Sequence, residues 1–148
     1  MSLKTQIQED MKAAMRARDS ARLSAIRLLI AAIKQREIDE RRELDGEEVI
    51  GVIEKLVKQR REAAAQYEAG NRPELAAGER FEVSVLSAYL PAALTPEQIE
   101  QEIDQAMSEA DASSIADMGK VMALLKPRLA GKADMADVSG RVRARLAR

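Results

Sequence analysis

The sequence has neither histidine nor cysteine, so the side chains left for chemistry are serine, threonine, lysine, tyrosine and the carboxylates. Thiol nucleophiles, disulfides, histidine acid–base pairs and zinc or haem sites built on these ligands are therefore excluded. No Gly-x-Ser-x-Gly elbow surrounds any of the serines, and neither a Walker loop nor a dinucleotide fingerprint is present. We predict no catalytic residue, no metal and no cofactor.

Two short motifs leave a functional interpretation open. Ser113-Ser114 superficially resembles the serines of amidases, but the Gly/Ser-rich loop and the distant lysine of that site are missing. Gly119-Lys120 lies at the start of a predicted helix, where free amide groups and a lysine could hold one phosphate. The alternative for the second motif is that Gly119 permits close helix packing and Lys120 is solvated.

The acidic pairs Glu47-Glu48 and Asp39-Glu40 fall at predicted helix ends. Acids near a helix amino terminus complement the helix dipole, and others simply solvate a loop. A divalent-metal site built from these carboxylates is the alternative, which we judge the weaker of the two.

The elements that position these residues are helices. Hydrophobic residues make up 46% of the chain, charged residues 33% and aromatic residues only 2%, a composition typical of all-α proteins. Apolar residues at helical spacing predict four helices before residue 91 and three after it. Asp45 with Glu48, and Thr95 with Gln98, match capping boxes at two helix starts, and residues 41–44 read as a polar connection.

Pro91 and Pro96 interrupt the helical pattern and predict a domain boundary. We expect an N-terminal four-helix domain over residues 1–91 and a C-terminal three-helix basic domain over residues 92–148. The amino terminus lacks the apolar stretch of a signal peptide, and no apolar run is long enough to span a bilayer. These observations predict a cytoplasmic protein that does not associate with membranes.

Charge is distributed unevenly along the chain. Residues 91–110 carry five acids and no base, whereas residues 111–148 carry eight bases and four acids. On the last helix Arg141, Arg145 and Arg148 fall within an arc of about 60°, which predicts a row facing solvent. Together with cations of the preceding helix they form the candidate nucleic-acid-binding set: Lys120, Lys126, Arg128, Lys132, Arg141, Arg145 and Arg148.

Several short segments follow one another in a fixed order: Arg27-Leu28-Leu29, Ala32-Ile33-Lys34, Glu47-Glu48-Val49-Ile50, Lys58-Gln59-Arg60-Arg61-Glu62, Tyr67-Glu68-Ala69-Gly70-Asn71, Leu75-Ala76 with Glu79, Tyr89-Leu90-Pro91 and Asp117-Met118-Gly119-Lys120-Val121-Met122. In this order they resemble a known family, the YqeY-like proteins. This family is similar to the tail of the B subunit of tRNA-dependent glutamine amidotransferases. The resemblance covers nearly the whole chain.

The resemblance implies a two-domain helical fold and a non-catalytic accessory role. The amidotransferase tail is implicated in contacting tRNA, whereas the domains that hydrolyse glutamine and activate the substrate have no counterpart in this chain. Carbon–nitrogen ligase activity is thus associated with the chain only through its relatives. We expect a monomer that binds tRNA or another structured RNA, or alternatively a protein-interaction adaptor that binds a tRNA-handling protein.

Two charged residues fall on apolar helix faces. Arg60 points into the apolar face of the third predicted helix, and Glu79 into that of the fourth. Folding these helices antiparallel about Gly70-Asn71 brings the two positions level. We predict a buried or half-buried Arg60–Glu79 ion pair that fixes helix register rather than binding a ligand.

Overall fold

The computed structural model describes residues 1–148 and contains helices but no strand. The all-α fold class predicted from composition and periodicity is confirmed. The elements are α1 (Leu3–Ala17), α2 (Ser20–Glu40), α3 (Gly46–Ala69), α4 (Pro73–Ser87), α5 (Pro96–Glu109), a 3-10 turn (Ile115–Asp117), α6 (Met118–Leu129) and α7 (Met135–Leu146).

Local sequence signals set the helix starts. At α3 the Asp45 carboxylate accepts a bond from the Glu48 amide at 2.8 Å, and the Glu48 side chain accepts one from the Asp45 amide at 3.2 Å. Thr95 and Gln98 make the same reciprocal pair at α5. Each box satisfies amide groups that have no partner inside the helix, so both predicted starts form as expected.

The chain divides into two compact units, Met1–Leu90 and Pro91–Arg148. The division is compatible with the expected boundary after residue 91. That the two parts behave as independent domains stays a prediction for limited proteolysis.

The core of the amino-terminal unit is formed by the inward faces of its four helices. Ile7, Ile26, Leu29 and Ile53 are fully buried there. The connection between α2 and α3 differs from the expected polar link, because Leu44 is buried in this core. Glu37 fixes that connection by accepting bonds from the Leu44 amide at 2.8 Å and from Lys4 at 2.7 Å.

The α3–α4 hairpin continues past this core. None of its residues from 58 to 82 belongs to the core cluster, and Ala64 and Ala76 are the buried side chains between its two helices. This outer part of α3 is about 18 Å long at 1.5 Å per residue.

The carboxyl-terminal unit packs α5, α6 and α7 around a second core. Ile103, Val121, Leu125, Val138 and Val142 have no solvent exposure. Because these apolar side chains are buried, the charged side chains of α5 and α7 lie on the remaining faces of the two helices, where they face solvent or each other.

Candidate functional site

The arginines of α7 face acids of α5. Arg141 donates from Nη1 to Glu100 at 2.9 Å and from Nε to Asp137 at 2.9 Å. Arg145 donates from Nη1 to Glu100 at 3.3 Å and also binds Asp104. The two arginine side chains are 32% and 26% exposed, respectively. These bonds stabilise the charged guanidinium and raise the pKa of Arg141, first through Glu100 and then through Asp137.

This geometry differs from the expected solvent-facing row. Glu100 and Asp104 are one turn apart on α5, as Arg141 and Arg145 are on α7, so the packed helices align the two pairs. The charged residues line a shallow cleft of about 430 Å³ with Arg148 at its edge. Residues 91–148 together carry eight bases and nine acids, so this unit as a whole is close to neutral.

The remaining candidate cations are spread over α6 and its exit loop. Arg128 donates to Glu109 at 2.5 Å and so is also paired. Lys120 and Lys126 are exposed, and Lys132 is half-buried with its backbone carbonyl bound to the Leu94 amide at 2.9 Å. These three lysines and Arg148 have no ion-pair partner. Whether the predicted set contacts RNA stays a prediction.

The start of α6 at Gly119-Lys120 carries a carboxylate directly before it and has no side-chain cap of its own. The Asp117 carboxylate accepts bonds from the Ser113 and Ser114 amides at 2.9 and 3.1 Å, which lowers the pKa of Asp117. A bound anion would meet this negative charge, which disfavours the phosphate interpretation. A Cβ on Gly119 would meet nothing within 4 Å, so this glycine is not needed for close helix packing either.

Arg60 has two carboxylate partners. Its Nε donates to Glu82 at 2.6 Å, while the expected partner Glu79 lies 3.6 Å from the same atom, within ion-pair range but beyond a hydrogen bond. All three side chains are half-buried, with 22% of Arg60 exposed. The helical wheel missed Glu82, although it lies one turn from Glu79 and so borders the same face.

A second network surrounds the start of α3. Arg42 donates to Glu48 at 2.7 Å and to Glu40 at 2.7 Å, while Arg36 donates to Glu40 at 2.5 Å. The bond from Arg42 is the main reason that the pKa of Glu48 is lowered to about 2, with the Asp45 amide adding to it. Glu48 thus serves both the capping box and the salt-bridge network.

Tyr89 ties the end of α4 to α1. Its hydroxyl donates to Asp10 at 2.6 Å. Partial burial, followed by this bond, raises the pKa of Tyr89 well above its ordinary value. A phenol that keeps its proton so firmly serves as a structural donor. Its partner could not be predicted from the sequence, because 79 residues separate the two.

The structure brings no group of three or more carboxylates together in an arrangement suited to a metal ion. None of its helices is both long enough and apolar enough to cross a membrane. The charged side chains instead form ion pairs within helices and between neighbouring helices.

The molecule is therefore an all-α protein of two compact units with many ion pairs among its charged side chains. The chain belongs to the family described as Yqey-like protein, which matches residues 4–146. The expected family is therefore confirmed, and its relationship to the amidotransferase tail is consistent with this result.

Curated relatives carry the name "Altered inheritance of mitochondria protein 41, mitochondrial". The chain is 28% identical to the one from Vanderwaltozyma polyspora over 106 residues, covering 70% of this chain and 57% of the relative. For Eremothecium gossypii the identity is 37% over 87 residues, covering 58% and 48%. For Lachancea thermotolerans it is 33% over 103 residues, covering 69% and 54%. The chain spans about half the length of these relatives.

The expectation of a cytoplasmic protein is wrong by this comparison, because the relatives are named as mitochondrial proteins. The prediction had relied on the missing apolar stretch at the amino terminus. Such a stretch is required for secretion and for membrane insertion, and its absence does not distinguish among the other compartments.

Proposed function

We propose that this YqeY-like protein is a non-catalytic accessory protein that acts by binding another protein. The observation that carries the proposal is the pairing of Arg141 and Arg145 with Glu100, Asp104 and Asp137. A phosphate backbone would have to displace these carboxylates before it could be bound. Arg141 and Arg145 therefore have little free charge to offer RNA.

The family relationship supports a setting in tRNA or translation metabolism, where the partner would be a tRNA-handling protein. Among the carboxylates considered for chemistry, Glu40 and Glu48 form salt bridges with Arg42, and Glu48 also belongs to a helix cap. The amides of Ser113 and Ser114 bind Asp117. We expect the purified protein, supplied with glutamine and ATP, to show no amidotransferase activity alone.

Structured RNA, with tRNA foremost, is the second candidate. It is favoured by Lys120, Lys126, Lys132 and Arg148, none of which has an ion-pair partner. These side chains could contact phosphates without breaking existing bonds. Because no aromatic residue lies in residues 91–148, such binding would follow RNA shape and charge rather than single-stranded bases.

The deciding experiment is native copurification, with sequencing of bound RNA and mass spectrometry of bound proteins after cross-linking. We expect a specific protein partner whose retention changes little with salt, and little tRNA. In parallel, binding to total tRNA is measured across a salt series for the wild type, for a variant with Arg141, Arg145 and Lys132 changed to Ala, and for Glu100→Gln/Asp104→Asn.

The proposal predicts weak tRNA binding by the wild type and stronger binding by Glu100→Gln/Asp104→Asn, because the second variant frees the arginines. Tight wild-type binding that falls steeply with salt and is lost in the triple-alanine variant would overturn it in favour of RNA.

A further inference from the structure

The outward face of α2 carries apolar residues where a surface helix ordinarily carries polar ones. Leu28 is 47% exposed and Ile38 is 69% exposed, although Ile26, Leu29 and Ile33 already bury the opposite face. A helix that is apolar on both faces ordinarily packs on both. In this structure only one face is covered.

The exposed residues follow the spacing of a coiled-coil seam. Six exposed residues of α2 are separated alternately by three and four positions. We call them the outer seam of α2: Ala21, Ser24, Leu28, Ala31, Gln35 and Ile38. This spacing keeps one stripe facing a partner helix along about 26 Å of α2. The small residues permit close approach, and Gln35, whose side-chain amide donates to Asp39 at 2.9 Å, supplies a polar position of the kind that sets register.

One flank of the outer seam is basic and unpaired. Arg27 and Lys34 lie seven residues apart beside it, both exposed and without an ion-pair partner. Lys34 adds only a weak charge attraction to Glu37, whose carboxylate is bound to Lys4 and the Leu44 amide. In coiled coils such flanking positions select the charge of the partner.

We propose that the outer seam of α2 docks an amphipathic helix of a partner protein whose apolar stripe is flanked by acidic residues. This inference rests on the proposed function and adds the surface and the chemistry of the partner. A second copy of the chain fits poorly in antiparallel pairing, because Arg27 of one α2 helix would then face Lys34 of the other. Nucleic acid fits poorly as well, since Leu28 and Ile38 offer nothing to a phosphate.

The test uses two synthetic helical peptides as probes. Both have leucine at every seam position and are labelled for fluorescence anisotropy; one has glutamate at both flanks and the other lysine. We expect the full chain to bind the glutamate peptide at least about tenfold more tightly than the lysine peptide, with salt reducing the difference. Arg27→Glu/Lys34→Glu should reverse this preference.

Seam variants separate docking from general stickiness. Leu28→Ser/Ile38→Asp should weaken glutamate-peptide binding at least about tenfold. Leu75→Ser on α4 is the matched control, because Leu75 is 40% exposed but lies elsewhere, and it should change nothing. Circular dichroism checks that each variant remains folded. We expect each variant to fold, because the substituted side chains are exposed.

Failure of the inference is distinguishable from failure of the proposed function. Equal binding of both peptides, no binding, or binding insensitive to Leu28→Ser/Ile38→Asp would overturn docking at the outer seam. If a native protein partner is nevertheless retained by that variant, the accessory role stands and its surface lies elsewhere. If RNA alone copurifies, the proposed function itself falls.

Discussion

Breaking the contacts of Arg60 tests how much the charged residues of the α3–α4 hairpin contribute to stability. Arg60→Met keeps most of the side-chain volume but leaves Glu79 and Glu82 without a counter-charge. The Oε2 atom of Glu79 is already buried without a hydrogen bond, so it would lose its nearest positive charge. The expected result is a lower free energy of unfolding for the amino-terminal unit.

The size of the expected loss in unfolding free energy depends on how deeply the ion pair is buried. Removing one partner of a fully buried pair costs about 3–5 kcal/mol, and an exposed pair contributes about 0–1 kcal/mol. With 22% of Arg60 exposed, the site lies between these limits, and we expect a loss of about 2 kcal/mol. Glu82→Gln should cost more than Glu79→Gln, because the donor–acceptor distance is 2.6 Å to Glu82 but 3.6 Å to Glu79.

The assay is urea unfolding followed by tyrosine fluorescence. Both tyrosines, Tyr67 and Tyr89, lie in the amino-terminal unit, so the signal reports on that unit alone. With a slope of about 1–3 kcal/mol per molar urea, a loss of 2 kcal/mol moves the midpoint by about 1 M.

Arg80→Met is the matched control for this experiment. Arg80 binds Glu68 at 2.6 Å in the same hairpin, but both side chains are about half exposed, and a loss of less than about 1 kcal/mol is expected. Equal losses for Arg60→Met and Arg80→Met would refute the reasoning from burial. A larger coupling of Arg60 to Glu79 than to Glu82 in double-mutant cycles would refute the assignment of the main partner.

Three further predictions use the same protein. Gly78→Ala should raise the free energy of unfolding by about 0.5–1 kcal/mol, since the added Cβ meets nothing within 4 Å and alanine favours the helix; a decrease would show an unrecognised contact. Because the folded-state pKa of Glu48 is lowered to about 2, its ionised form stabilises the fold above the unfolded value of about 4.3, and this contribution should disappear as the pH falls from about 4 towards 2. Glu48→Gln should therefore flatten the acid limb of a pH–stability curve, and an unchanged limb would contradict the role of the network. Limited proteolysis should cut between residues 91 and 96, where the sequence lies between α4 and α5, leaving two resistant helical fragments; resistance of this segment would argue against separate domains.

The sequence alone determined the helices, because the signals involved are short-range. Asp45 with Glu48, and Thr95 with Gln98, specify helix starts through bonds between residues three positions apart. Periodic apolar stripes then specify which face of each helix is buried, and Arg60, on the apolar stripe of α3, lies half-buried in the α3–α4 hairpin. The family resemblance likewise rested on short segments in a fixed order.

Contacts between helices were decided only by the tertiary structure. The helical wheel placed Arg141 and Arg145 on one side of α7, but it carried no information that Glu100 and Asp104 would lie opposite them. For the same reason, the helical wheel did not predict that Glu82 would pair with Arg60. Rotation and offset of one helix against another depend on how whole side-chain surfaces interlock, and that packing determines which charges neutralise each other and which remain available to a partner.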